Sequence, residues 1–442
     1  MNIRVHSWLI RNFAGGLFAV LLGLVSAAWA EGGKPLTLAE ALQAAEAPHP
    51  DLLLAEAERD AAQADQDLAA ARQDLNVNFE AGLRRVKPSL PPEGYSHLSD
   101  NSARLSLRKS LYDFGRTASA EAAAKSETES RTAELLETRD RRRIDIMARF
   151  FDVLLADMQA AADNEFMAAA YVDFDNGRHR LEVGTLSPVE LGALEALYQD
   201  LLVKRNASQQ RQRVARALLA MAMNRPGELA PDLEDPDLKG NERPVPEYEQ
   251  LLALLPGSPR LQSAQAQLEA SRQRLEGVRA DRNPTLEAEL ESAHYAGRQL
   301  SGRDDWRAGL VLNWPIYQGD RVDARQSKER ARFQQAQARV EKLRMELTQA
   351  LLENWLEIEQ LRATARGAAK KNAEYRDLAL ERAQGEYEVE LKTNLGTSMA
   401  ATMEARVRER GTEYRLALAL ARLEALLGMP LEQAAKNKES AK

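Results

Sequence analysis

The sequence predicts a mainly α-helical protein with a small transmembrane β part, arranged as two similar helix–strand–strand–helix–helix halves. Three observations carry that expectation: landmarks that recur at nearly constant spacing, two long proline-free stretches, and four short stretches with a period of two.

The recurrence comes first because it sets the architecture. His49-Pro50-Asp51-Leu52 opens one helical stretch, and Ser258-Pro259-Arg260-Leu261 opens another 209 positions later. Leu111-Tyr112-Asp113-Phe114-Gly115-Arg116 answers to Ile316-Tyr317-Gln318-Gly319-Asp320-Arg321 at an offset of 204 to 205. Ala217-Leu218-Leu219-Ala220-Met221 is matched with Ala425-Leu426-Leu427-Gly428-Met429 at 208. Several landmarks at one offset indicate duplication. The chain is thus divided into a leader over 1–30, a first repeat over 31–225, a Pro-rich linking segment around the waist over 226–256, a second repeat over 257–430 and a loose tail over 431–442.

Neither the stretch between Pro92 and Pro188 nor that between Pro315 and Pro430 contains a proline. Proline costs about 3 kcal/mol inside a helix, so both gaps leave room for long rods. From Arg116 to about Leu181 the chain is rich in Ala, Glu, Arg and Leu, enough for a helix of roughly 100 Å. In the second half Val340, Leu343, Leu347, Leu351, Trp355 and Ile358 step by threes and fours and draw an apolar seam down one face.

The four alternating stretches read as strands. Val77, Phe79, Ala81 and Leu83 interleave with polar residues, as do Ala103, Leu105, Leu107 and Leu111. Leu286, Ala288 and Leu290 alternate with Glu287, Glu289 and Glu291, and Trp306 to Ile316 alternates through Leu310 and Leu312, although Val311 breaks its polar face. Each stretch suits a tilted membrane-crossing strand. Val77, Phe79, Leu83, Leu105, Leu107, Leu286, Leu310 and Leu312 are the expected lipid-facing positions, with Trp306, Trp314, Tyr317 and Tyr112 as an interfacial belt. Four strands cannot close a barrel alone, and lipid does not tolerate open edges. Several copies of the chain are therefore needed, and an apolar outside with a polar inside makes a pore.

The start of the chain has the layout of a secretory signal peptide. Arg4 and Arg11 precede the apolar run Phe13 to Val25, and Ala28-Trp29-Ala30 sets small residues before a cleavage point at Glu31. Cleavage removes two bases and no acid, taking the net charge from −7 to −9. Such an acidic, mixed-charge chain is a poor ligand for nucleic acid. There is no cysteine, which excludes disulfides, thiolate metal sites, a thiol nucleophile and a lipoprotein anchor.

The sequence resembles the TolC-like outer membrane efflux protein family. The resemblance rests on Leu36-Thr37-Leu38-Ala39-Glu40-Ala41-Leu42, Pro50, Leu105-x-Leu107 running into Leu111-Tyr112-Asp113-Phe114-Gly115, Leu312-Asn313-Trp314-Pro315-Ile316-Tyr317-Gln318-Gly319, and Arg180-x-x-Val183-Gly184-Thr185-Leu186-Ser187. It covers about residues 35 to 430. It implies a homotrimer whose twelve strands form one barrel in outer-membrane lipid, continued by a helical tunnel through the periplasm. The implied function is the passive exit channel of a tripartite efflux or type I secretion system, working with a periplasmic adaptor protein and an inner-membrane pump and gated at its helical tips.

In that frame Val183, Gly184, Thr185, Leu186 and Ser187 form the first tip, a candidate adaptor contact, and the second lies near Glu390–Asn394. The resemblance places a salt bridge between Lys392 and Glu190, which would help hold the resting channel shut. Glu390 stands where the family has a glycine, and Gly396 and Met399 stand where some relatives carry constricting aspartates. Glu386, Glu388 and Glu390 are the candidate substitutes for that charge, or a solvated face.

No catalytic constellation is visible, so an enzyme is not expected, nor a cofactor or a metal. His6, His49, His97, His179 and His294 are scattered, and Asp173 and Asp175 near His179 form the one local cluster. Arg139, Arg141, Arg142 and Arg143 read as an exposed helix face paired with acids. The competing reading is a periplasmic coiled-coil adaptor or scaffold without a pore, which explains the rods but not the paired strands.

Overall fold

The computed structural model describes residues 34–87, 98–295, 305–388 and 395–436. The leader, Glu390, Lys392 and the end of the tail lie outside them. The first repeat runs α1 (Leu38–Gln43), α2 (Pro50–Ala70), β1 (Asn76–Gly82), β2 (Arg85–Val86), β3 (Leu98–Ser99), β4 (Ser102–Tyr112), α3 (Arg116–Glu182) and α4 (Pro188–Ala222). A linking segment with the short helix α5 (Tyr248–Leu254) follows. The second repeat runs α6 (Pro259–Ala280), β5 (Thr285–Tyr295), β6 (Trp306–Asn313), α7 (Arg321–Gln360), a π turn at Leu361–Ala365, α8 (Arg366–Glu388) and α9 (Leu395–Leu427).

Helix α3 is one unbroken rod of 67 residues, about 100 Å long. Its buried positions near the strands are small or hydroxylated (Ala123, Ser126, Ser130, Ala133), so neighbouring helices approach closely there. Further along it buries Ile146, Phe150, Phe151, Val153 and Leu154, which thicken the core at mid-height. The expected seam of α7 is present: Val340, Leu347, Leu351 and Ile358 are buried, and Leu343 and Trp355 pack beside them.

The strands form one antiparallel sheet in the order β1-β4-β5-β6, so the hairpin of one repeat lies beside that of the other. Strands β2 and β3 form a separate two-stranded ladder that the sequence reading did not anticipate. Leu83 falls just after β1 rather than within it, and β6 ends at Asn313 because Pro315 cannot continue a ladder. A bulge between Ser110 and Tyr112 makes Leu111 the extra residue and brings Tyr112 opposite Leu286, so Leu111 does not extend the row of Leu105 and Leu107.

The repeat is visible in the backbone. Gly115 and Gly319, 204 positions apart, both take positive φ where a strand enters a long helix. Asn224 and Gly428, again 204 apart, both take positive φ after the returning helix, with Pro226 and Pro430 two residues later. The hydrogen bonds from Asn224 N to Met221 O and Arg225 N to Ala220 O recur as Gly428 N to Ala425 O and Met429 N to Glu424 O. The 208-residue match read from sequence is therefore one helical turn out of register, an error that repeated Ala-Leu-Leu invites.

The linking segment is ordered and packed. Leu36 bridges to Leu233, and Leu251 is fully buried against α7 and α9. Residues 431–436, assigned to the tail, form a further short helix, α10 (Leu431–Lys436), whose Leu431 is fully buried in the same core.

Candidate channel wall, waist and periplasmic tip

The strand register sorts every side chain of the sheet onto one of two faces, because residues directly opposite each other share a face. One face carries Val77, Leu107, Leu290 and Ala308 in one row, Phe79, Leu105, Ser292 and Trp306 in the next, and Tyr112, Leu286 and Leu312 at the helical end. Phe79, Leu310 and Leu312 are each more than three-fifths exposed in the single chain. The expected lipid-facing positions thus share a face, Leu83 excepted. The other face carries Arg104, Arg108 and Arg307 among Glu289 and Glu291, paired as Arg108–Glu289 at 3.2 Å, Arg104–Glu291 at 3.5 Å and Arg307–Glu291 at 3.0 Å. Glu80 and Glu287 share that face, so the sheet has one side that repels water and one lined by charge.

At mid-height a polar network clamps the linking segment to the rods. The Tyr414 hydroxyl donates to Asp235 at 2.7 Å while its ring stacks on Phe151 with centroids 4.5 Å apart. Burial and the Asp235 carboxylate both push that hydroxyl's pKa up. Arg362, in the π turn, donates to the carbonyls of Asn241 and Arg243 at 2.8 and 2.6 Å. Buried Asn241 donates in turn to Glu413, and Arg243 pairs with Glu424 at 2.8 Å. The guanidinium leaves the rod at the π turn, where the i→i+5 spacing widens the helix.

Arg142 corrects the sequence reading of its basic run. It is buried and donates to the carbonyls of Ala45 and Ala222, tying α1 and the end of α4 to α3. Desolvation lowers its pKa, with Asp51 and Asp145 opposing that effect. Arg139 keeps the expected exposed partner, Glu56, at 3.5 Å.

The first tip is explained residue by residue by turn chemistry. Gly184 takes φ of 75°, Thr185 N donates to Arg180 O and Gly184 N to Leu181 O, the double bond of a Schellman end. Pro188 then starts α4, and Ser187 and Glu190 form a reciprocal capping box, Ser187 N to Glu190 Oε2 at 2.8 Å and Glu190 N to Ser187 Oγ at 3.2 Å. Those bonds, the backbone one first, hold the Glu190 carboxyl below its usual pKa. Leu186 turns inward: a Cβ on Gly177 would lie 3.4 Å from it and 2.7 Å from Leu194, so Gly177 is where α3 and α4 touch. Val183 and Val189 are left highly exposed.

The sequence reading missed the capping box, although Ser187-Pro188-Val189-Glu190 spells it, and missed the buried Arg142, which no local pattern marks. At the second tip Glu386 pairs with Arg382 at 2.7 Å and Glu388 is exposed, whereas Glu390 and Lys392 lie outside the described residues. His179 pairs with Glu182 and Asp175 with Arg178, separately. Among the described residues no helix is long and apolar enough to cross a membrane, which says nothing of a β-barrel.

Against that geometry, residues 251–429 match the family described as outer membrane efflux protein. The matched stretch takes in the second repeat, which is thus similar to an outer membrane efflux protein domain. The whole described chain has the fold of TolC-like outer membrane channels. It is similar to the outer membrane protein VceC of Vibrio cholerae, with a TM-score of 0.72 and 18% identity over 89% of this chain and 96% of that one. The CmeC outer membrane channel of Campylobacter jejuni gives 0.74 and 16% identity over 91% and 88%. The open state of the MtrE outer membrane channel of Neisseria gonorrhoeae gives 0.64 and 17% over 89% and 89%. No curated protein matches the chain by sequence.

Proposed function

We propose that this chain belongs to the outer membrane efflux proteins and that three copies join their sheets into one twelve-stranded barrel in the outer membrane, with the helices continuing it as a tunnel through the periplasm. The observation that carries this reading is the sheet. Its outer strands β1 and β6 each have one edge without a partner strand among the described residues, one face is exposed and apolar, and the other is lined by charge. Lipid forbids open edges, and joining copies edge to edge removes them all. A periplasmic scaffold has no use for such a surface.

The chain then serves as a passive exit channel, with a periplasmic adaptor and an inner-membrane pump supplying drive and cargo. In this reading the turn Val183–Ser187 meets the adaptor through exposed Val183, and the second tip, with Glu386, Glu388, Glu390 and Lys392, forms the inner mouth. The Glu190–Lys392 lock is compatible with the capping box, which uses Oε2 of Glu190 and leaves Oε1 for a cation. The mass of the detergent-extracted protein tests the assembly. Three chains in one particle are expected; a monomer recovered in buffer without detergent would overturn the barrel and favour the scaffold.

A further inference from the structure

One cation stands on the wrong side of the sheet. Lys109 pairs with Ala288, which pairs with Leu310, so Lys109 shares the apolar face with Leu105, Leu107 and Leu312. The four-stranded sheet contains Arg104, Arg108, Lys109 and Arg307. The three arginines all lie on the polar face and all have glutamate partners. Lys109 is exposed and has no hydrogen bond or ion pair with any described residue.

Its neighbours say where on the face it sits. Tyr112, the next residue on the same face after the bulge, marks the end of β4 where α3 begins. At about 3.3 Å per residue, Lys109 stands roughly 10 Å from that end. Without the bulge, residues three apart would face opposite sides; the extra Leu111 puts lysine and tyrosine together. The Tyr112 ring meets Phe114 edge-on at 4.6 Å, and Phe114 holds a positive φ of 55°, a strained state for a bulky residue. Trp314, Ile316 and Tyr317 add exposed apolar surface at the same end of the sheet.

Resting on the barrel reading above, we propose that Lys109 binds the phosphate of an anionic phospholipid in the periplasmic leaflet of the outer membrane. Its four-carbon stem lies along the apolar face and its ammonium reaches the headgroup level, where the Tyr112 ring also sits. A second copy of the chain cannot be the occupant. Both edges of β4 are already paired, to β1 and to β5, so copies added at β1 or β6 leave its face uncovered.

The test is the lipid that the protein keeps. The full chain is reconstituted in bilayers of equal parts phosphatidylglycerol and phosphatidylcholine, insertion is checked by protease protection, and retained lipid is weighed by native mass spectrometry. The wild type is expected to retain phosphatidylglycerol over phosphatidylcholine by about fivefold, the factor one basic group gains at an anionic surface. Lys109→Arg keeps the preference and Lys109→Gln loses it. Equal enrichment in wild type and Lys109→Gln, with both inserted, overturns the lipid site and leaves the barrel standing. Failure of the wild type to insert in any bilayer overturns the barrel reading itself.

Discussion

The two repeats solve the same junction with different chemistry. Where α4 ends, Asn224 takes the left-handed conformation and its side chain donates to Pro48 O at 2.9 Å, tying the turn to the start of α2. Where α9 ends, Gly428 takes the same conformation and lies so close to the start of α6 that a Cβ would meet Pro259 Cδ at 2.7 Å. One contact is a hydrogen bond and the other a close approach, yet the backbone is the same. The long rods differ too: α3 runs unbroken, whereas its counterpart is interrupted by the π turn from which Arg362 reaches the linking segment. Duplication has preserved geometry and let the side chains diverge. This is why matching letters misplaced one landmark by a turn while matching backbone did not.

The strongest way to break the equivalence is through the sheet, where both repeats contribute to one surface. Leu107→Arg, near the middle of β4, is expected to cost ~2–4 kcal/mol, and Leu312→Arg, near the end of β6, ~0–1. The yield of heat-resistant trimer in membranes checks both; equal yields would mean that the face assigned to lipid is not the one facing it. Next come the junctions. Gly428→Ala forces a positive φ and a collision with Pro259, and about 2–3 kcal/mol is expected. Asn224→Ala loses one hydrogen bond and a tolerant αL residue, and about 1–2 kcal/mol is expected. Denaturation midpoints in detergent should follow that order, and the reverse order would show the two junctions to be built on another principle.

The π turn comes third. Arg362→Ala removes both donors to the linking segment and leaves the carbonyls of Asn241 and Arg243 without them, for ~1–3 kcal/mol. Faster amide exchange should appear around 239–243, with the first tip unchanged. The smallest effect belongs to that tip. Ser187→Ala removes a cap worth ~1 kcal/mol. Because the folded Glu190 carboxyl titrates below its ordinary 4.5, its contribution is fully present above that pH and is lost as pH falls through the folded value. Protection of the Ser187 amide, which donates to that carboxylate, should fade over the acidic window in the wild type and show no such pH dependence in Glu190→Gln, whose neutral side chain does not titrate. Glu190→Lys is expected to raise conductance if the lock with Lys392 operates.

Much of this was legible in the residues. The proline-free stretch fixed α3 to within a residue, since nothing between Arg116 and Glu182 breaks a helix. The strands were legible because alternation is a local signal, but their ends were not: Leu83 and Leu111 continue the pattern in letters while the ladder stops or bulges. Lys109 was passed over for the same reason, because its facing depends on the register with Ala288 of the other repeat. Arg142 was misread because its partners are carbonyls 97 and 80 positions away. The turn at Val183–Ser187 is legible as a whole, yet only the packing separates Leu186, against Gly177, from Val183, left exposed.

If three copies close the barrel, the charged face of the sheet lines a continuous pore. Single-channel recording of the purified protein in a planar bilayer tests it most directly. Discrete, reproducible conductance steps are predicted from the trimer, and a membrane-inserted trimer that passes no current with its tips removed or unlocked would contradict it.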